Sequence, residues 1–277
     1  MNQSDSVRGE VAQKYEEALL GKGEQPIHKT GGARFAQYDE ATLADIPTEV
    51  SDSSFGCGNP LAFAGVQPGD TVLDLGSGAG LDLLIAAEKV GPTGRVIGVD
   101  MTDAMIDRAR TNIVRRGYTN VDVRKGLIEA LPVESGSVDW VISNCVINLS
   151  PEKDKVFAEI ARVLKPGGHI SISDIVVNNL PWWVRRSAAL YMACVSGAIS
   201  EPDYLIGLQQ SGLADVAVTE RMYYDAAMIS DLATSMLPAA LMKFGCCGKP
   251  IAAHVVSAVA PQVENRIWSA KFYARKN

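Results

Sequence analysis

A doubly wound α/β fold built on a mostly parallel sheet is predicted by three observations. A glycine-rich turn joins an apolar run to a helical pattern within Thr71–Asp100, strand-like and helix-like segments then alternate as far as Val177, and the alternation stops after Asn179. The expected organisation is an N-terminal helix and lid loop over 1–50, a nucleotide-type cofactor core over 51–178 and a C-terminal cap over 179–277, with strands that rejoin the core sheet.

Val7–Leu20 carries Val7, Val11, Tyr15, Ala18 and Leu19 on one helical face. It reads as a lid or as a helix packed on the sheet edge. Gly21–Ser54 reads as loop, with a short helix at Tyr38–Ala44, and Ser54–Pro60 is a run of turn formers that exposes its backbone and holds Cys57 in a loop. Strands are then expected at Thr71–Leu75, Arg95–Asp100, Val121–Lys125, Val138–Asn144 and His169–Val177. Helices are expected at Leu81–Val90, Asp103–Arg116 and Glu152–Leu164, with Thr102 as the N-cap of the second and Lys165-Pro166-Gly167-Gly168 ending the third. Past Asn179 the sequence predicts helices at Arg185–Ala198 and Glu201–Ser211. Two strands, Asp215–Tyr223 and Ile267–Ala274, are expected to return to the sheet as an antiparallel pair, with Ala226–Asn265 inserted between them.

Composition narrows the class of partner. Twenty-six basic against 32 acidic residues give a net charge of −6 over 277 residues with no long basic run, which argues against nucleic acid. No apolar stretch reaches membrane-spanning length, and the polar start lacks a signal peptide's apolar core, so a soluble cytoplasmic protein with a small partner is expected. The five cysteines, Cys57, Cys145, Cys194, Cys246 and Cys247, are then expected to be reduced thiols. The three histidines show no i, i+4 zinc pair, and C-x-x-C is absent.

Within Thr71–Asp100, Gly76, Gly78 and Gly80 leave no side chain between backbone and ligand. Asp100 ends the second strand 24 positions after Gly76, where ribose hydroxyls are gripped in such folds. The dinucleotide pattern G-x-G-x-x-G requires glycine at position 81, which is Leu81, so the NAD reading weakens. In a parallel sheet the strand ends share one crevice, so Asp74–Gly80, Asp100–Met101, Gly126–Glu129 and Asn144–Cys145 converge there. Met101 reads as a platform for an adenine ring or as core. Leu127, Ile128 and Glu129 read as neighbours of the adenine edge, with solvation as the other reading of Glu129. Asn144 offers its carbonyl to the cofactor or ties down its own turn. Cys145 reads as a small buried hydrophobe or, by its place at the crevice rim, as a functional thiol.

D-L-G-S-G-A-G at 74–80 resembles the first motif of the Rossmann-like class I S-adenosylmethionine-dependent methyltransferases. Further matches are more specific. F-G-C-G-N-P at 55–60, D-L-G-S-G-A-G-L-D at 74–82, G-V-D-M-T at 98–102, G-L-I-E-A-L-P at 126–132, S-N-C-V-I-N-L-S at 143–150 and the cysteine before S-G-A-I at 196–199 resemble the arsenite methyltransferases, from about Tyr15 to about Ser200. The resemblance implies methylation of arsenite for arsenic detoxification, with trivalent arsenic or its thiol conjugates held by Cys57, Cys145 and Cys194, and with 179–277 as a metalloid-binding cap. It implies S-adenosyl-L-methionine held by Asp74, Gly76, Ser77, Gly78, Gly80, Asp100, Met101, Thr102, Leu127, Ile128, Glu129 and Asn144. A thiol reductant, glutathione or a thioredoxin-type partner, is implied as co-substrate.

Two positions depart from the family pattern. Phe55 stands where the family usually has tyrosine, and no cysteine precedes Cys57. Cys246-Cys247 reads as a substitute thiol, as a second metalloid site or as passive surface. Other classes stay open: a methyltransferase for another small thiol-bound or organic acceptor, and a non-catalytic metalloid-binding protein.

Overall fold

The computed structural model describes residues 3–19, 38, 58–62, 64–182, 194–229 and 263–277. Helix α1 covers Gln3–Leu19, starting ahead of the predicted Val7. Five parallel strands follow: β1 (Thr71–Leu75), β2 (Arg95–Asp100), β3 (Val121–Lys125), β4 (Val138–Asn144) and β5 (Leu164–Val177). Helices α2 (Leu81–Val90), α3 (Asp103–Arg116) and α4 (Lys153–Val163) make the crossovers. Helix α5 (Glu201–Gln210) precedes β6 (Leu213–Tyr223) and β7 (Ile267–Lys276), which join the sheet antiparallel as predicted. The strand order is β3-β2-β1-β4-β5-β7-β6. Connections run outward in opposite directions from the β1/β4 pair, so a crevice opens beyond the carboxyl ends of those two strands.

Period-two alternation along β1 explains how both faces are filled. Val72 enters a cluster with Leu83, Leu84, Ile106 and Ile142 under α2 and α3, while Leu73 and Leu75 enter another with Phe157, Ile160, Tyr204 and Phe272 under α4 and α5. On α4 the buried residues are Val156, Phe157, Ile160 and Val163, one helical stripe. Aromatic rings lock the second face: Tyr204 stacks on Phe272 at 4.0 Å and meets Phe157 edge-on at 5.2 Å. A third cluster lies at the strands' carboxyl ends and includes Val11 of α1 with Cys145, Leu149 and Cys194.

Two local expectations need correction. Lys165–Gly168 does not separate α4 from its strand. Leu164 already pairs with Val138, and the register shifts before His169 meets Trp140, so the Pro-Gly-Gly segment is an irregularity inside β5, with Gly167 at φ +79°. Thr102 occupies the N-cap position of α3, but its side chain makes no cap hydrogen bond; its backbone N–H is instead drawn to Asp100. A working cap is found at Ser200, whose side chain accepts from Asp203 N–H at the start of α5. Tyr38 is the described residue of the expected Tyr38–Ala44 helix. The helix expected at Arg185–Ala198 and the insertion Ala226–Asn265 lie largely outside the described residues.

The α4–α5 contact supplies a test. A Cβ on Gly207 would stand 2.5 Å from Phe157 Cε2, and that ring is wedged against Tyr204. Alanine ordinarily gains about 1 kcal/mol over glycine in a helix, whereas overpacking costs about 1–3 kcal/mol. Gly207→Ala is therefore expected to lower stability in urea unfolding, and the same change in a Phe157→Leu background is expected to lose that penalty.

Candidate active site

The glycine turn after β1 is held from two sides. Gly76 N–H and Ser77 N–H both donate to Val99 O, and Gly78 N–H donates to Asp100 Oδ2 at 3.0 Å. Asp100 Oδ1 accepts from Thr102 N–H at 2.8 Å. One carboxylate thus ties the turn to the end of β2 and keeps lone pairs for an incoming hydroxyl. Gly76 is at φ +65°, and a Cβ there would collide with Val146 at 2.3 Å, so the close passage of the β1 and β4 turns requires glycine.

A cavity of about 130 Å³, open to solvent at its mouth, lies over this turn. Every residue that the sequence assigned to the cofactor lines it except Gly80, which starts α2 behind the turn. Gly78 faces open space with no atom within 4 Å of where a Cβ would stand, so a side chain there would fill the cavity. Among the described lining residues, Asp74, Asp82, Asp100 and Glu129 are the acids and Arg8 the base. Burial raises the Asp74 carboxyl well above its usual range and lifts Asp82 to about 6; burial also raises Asp100, against the pull of its backbone donors. An acid-rich, partly dry cavity suits a cationic ligand carrying vicinal hydroxyls, which fits S-adenosylmethionine.

Two predicted cofactor residues are engaged by the protein itself. Glu129 Oε1 accepts from Ser150 Oγ at 2.6 Å and from Arg8 Nε and Nη2 at 3.2 and 3.1 Å, and Arg8 also pairs with Glu152. Glu129, read as a neighbour of the adenine edge with solvation as the alternative, lines the cavity and is also the anchor of α1. Asn144 Oδ1 accepts from Gly58 N–H at 3.1 Å, and its amide nitrogen donates to Gly58 O and to the Tyr38 hydroxyl. That hydroxyl donates to Asp82 Oδ1 at 2.6 Å. Asn144 therefore ties down more than its own turn: it fastens the residue after Cys57 to the residue before Cys145.

The sulfur positions divide unevenly. Cys145 and Cys194, both about 4% exposed, come together: Cys194 Sγ donates to Cys145 O at 2.7 Å. Both sit at φ +60°, a left-handed conformation that costs a non-glycine residue about 1–2 kcal/mol. Cys194 is a free thiol, whereas Cys145 is disulfide-bonded, which corrects the expectation of uniformly reduced cysteines. The partner sulfur lies outside the described residues. Cys57, Cys246 and Cys247 lie outside the described residues. Among the described residues no group of three or more His, Cys, Asp or Glu side chains forms an ion site.

Several site residues escaped the sequence reading. Arg8 and Tyr15 line the cavity from α1, so that helix borders the site. Asp82 and Asp174 are buried acids; burial lifts Asp174 to about 7, and Asn148 Nδ2 donates to it at 2.7 Å. An acid inside an otherwise apolar run, as in L-D-L-L-I-A-A, was the signal available for Asp82. His169 is sandwiched between Trp140 and Tyr273 away from the lining, so it is no base for this cavity.

Residues 67–228 match a family model described as a methyltransferase domain. The crystal structure of an arsenic(III) S-adenosylmethionine methyltransferase from Chlamydomonas reinhardtii superposes with a TM-score of 0.66 at 33% identity, over 87% of this chain and 72% of that one. The chain belongs to the arsenite methyltransferase family. A curated arsenite methyltransferase of Halobacterium salinarum is 45% identical over 194 residues, 70% of this chain and 49% of its own length. The chain spans about half the length of the curated family members it matches. A phosphoethanolamine N-methyltransferase from Haemonchus contortus, solved with S-adenosyl-L-methionine, shares the fold at a TM-score of 0.60 and 20% identity, over 90% of this chain and 57% of that one.

The buried acids have a pH signature. A carboxyl whose pKa is raised on folding favours the folded state below its unfolded value near 3.8 and loses that contribution as pH rises through the folded value, about 6 for Asp82. Asp82→Asn keeps an acceptor for Tyr38 and removes the buried charge. It is expected to raise the ligand-free melting temperature at pH 8, by about 2–4 °C per kcal/mol relieved, and to raise it much less at about pH 4, close to the unfolded-state value. Calorimetric scans at the two pH values check this.

Proposed function

We propose that the protein transfers a methyl group from S-adenosylmethionine to trivalent arsenic held by the thiolates of Cys57, Cys145 and Cys194. The observation that carries this reading is the meeting of Cys145 and Cys194 at the edge of the acid-lined cavity, with Cys145 itself in the lining. Thiolates select soft ions, and no histidine among the described lining residues competes for the site. Arsenous acid and three thiols form three As–S bonds and release three waters, so binding needs no net proton transfer.

The bound cofactor supplies an electrophilic sulfonium methyl group to the arsenic lone pair. Asp74, Asp82 and Asp100 hold the cation and its hydroxyls, Gly76–Gly80 gives the close backbone approach, and Val11, Met101 and Leu149 exclude water between the two centres. The protein's main contribution is alignment, which supplies roughly 7–11 kcal/mol in well-oriented systems. A lone pair needs no deprotonation, in accord with the position of His169. Before arsenic binds, the Cys145 disulfide must take up two electrons and two protons, a role for glutathione or a thioredoxin-type reductant. A reducing, cytoplasmic setting follows from that requirement. Among the described residues no helix is long and apolar enough to cross a membrane. Within this reading, 1–50 is the lid, 51–178 the cofactor core and 179–277 the metalloid-binding cap, whose strands β6 and β7 share the core's sheet.

Incubating the purified chain with arsenite, glutathione and labelled S-adenosylmethionine, then separating arsenic species by chromatography, should yield methylated arsenic. Tight arsenite binding without S-adenosylhomocysteine would point to a sequestering protein instead. Serine at Cys57, Cys145 or Cys194 is expected to lower arsenite binding and the first methylation at least tenfold, with cofactor affinity retained; unchanged methylation in all three variants rejects the thiolate site. Asp100→Ala should do the reverse, weakening cofactor affinity in a calorimetric titration while arsenite binding persists.

A further inference from the structure

Asp82 stands in the first turn of α2, buried yet lining the cavity. Its Oδ1 accepts from the Tyr38 hydroxyl at 2.6 Å, and that hydroxyl oxygen accepts from Asn144 Nδ2 at 3.0 Å. The backbone forces the proton positions along this chain. Gly58 N–H can only donate and meets Asn144 Oδ1 at 3.1 Å, while Gly58 O can only accept and meets Nδ2 at 2.5 Å. The amide of Asn144 is thereby fixed in one orientation. Its Nδ2 can only donate to Tyr38, so the phenol turns its own proton to Asp82.

Sheet order shows which end of a bound cofactor this carboxylate meets. β1 is flanked by β2 and β4; Asp100 ends β2, whereas Asn144 ends β4 just before Cys145. A nucleoside whose ribose is gripped at Asp100 extends its other end across the β1 turn, toward the side on which Asp82 is tied to Asn144. We propose that Tyr38 is a positioning residue for the cofactor: its hydroxyl, oriented by Asn144, holds the Asp82 carboxylate toward the ammonium of the S-adenosylmethionine amino-acid moiety.

Two further features support the assignment. Tyr38 is itself buried in the cluster under α2, so its hydroxyl is no incidental surface contact. Burial lifts the Asp82 carboxyl to about 6, and the bond from Tyr38 works against that lift, favouring the charged form that a cation requires. The proposal rests on the cofactor reading above and not on the identity of the methyl acceptor.

Tyr38→Phe, Asp82→Asn and the double variant test it in the full chain under reducing conditions. Each is titrated calorimetrically with S-adenosylhomocysteine, which carries the ammonium, and with 5′-methylthioadenosine, which lacks the amino-acid moiety. Tyr38→Phe is expected to raise the S-adenosylhomocysteine Kd about tenfold, equivalent to about 1.4 kcal/mol, and to leave the 5′-methylthioadenosine Kd within twofold of the parent. Added to Asp82→Asn, it is expected to change the S-adenosylhomocysteine Kd less than twofold, because a residue that acts through Asp82 has nothing further to lose. An S-adenosylhomocysteine Kd within twofold of the parent overturns the proposal, and so does equal weakening of both ligands, since Tyr38 would then only pack the cavity wall. A full tenfold effect in the Asp82→Asn background overturns it as well. If neither nucleoside binds the parent chain, the cofactor reading falls and the proposal with it. The expected pattern in a chain that makes no methylated arsenic sustains the role of Tyr38 and rejects only the arsenic reading.

Discussion

One carboxylate organises the site. By accepting N–H groups from Gly78 and Thr102, Asp100 joins the turn after β1 to the end of β2, the place where an otherwise flexible glycine run needs an external restraint. Gly76 then lets the β4 turn approach so closely that Val146 occupies the space of a missing Cβ. Cys145 stands one residue before Val146, so the thiol's distance from the cofactor turn is set by packing in a sheet with few degrees of freedom. Chemistry at this crevice depends on strand register before it depends on any loop.

Polar connections carry that register outward. Asn144 grips Gly58, Tyr38 links Asn144 to Asp82, and Ser150, Glu129 and Arg8 draw α1 over the cavity. These bonds join segments far apart in the chain, as short local turns would not. Partly or wholly buried, they exclude alternative arrangements because each broken link would leave an unsatisfied polar group.

Much of this was legible in the residues. The parallel core could be read because β1, β4 and the His169–Val177 part of β5 are mostly apolar runs bounded by glycine, acid or turn formers, and because α3 and α4 repeat their apolar residues at helical spacing. The cofactor crevice was legible for the same reason, since consecutive strand ends must face one side. What escaped depended on meetings between distant segments. Neither spacing nor composition announces that Arg8 reaches Glu129 or that Asn144 closes on Gly58. The strand start at Leu164 was missed because Pro-Gly-Gly signals a stop, whereas pairing with Val138 begins before it. Thr102 takes the N-cap position of α3 without making a side-chain cap bond, a detail of side-chain orientation that its place in the sequence does not reveal.

The left-handed backbone at Cys145 and Cys194 has an evolutionary consequence. Glycine would occupy either position with less strain, so selection for folding alone would drift away from sulfur there. A lineage that ceased to meet its thiophilic substrate should surrender these two cysteines early, while the glycine turn and the sheet beneath it persist. The pair would then serve as a molecular record of exposure, readable in descendants whose fold is otherwise unchanged.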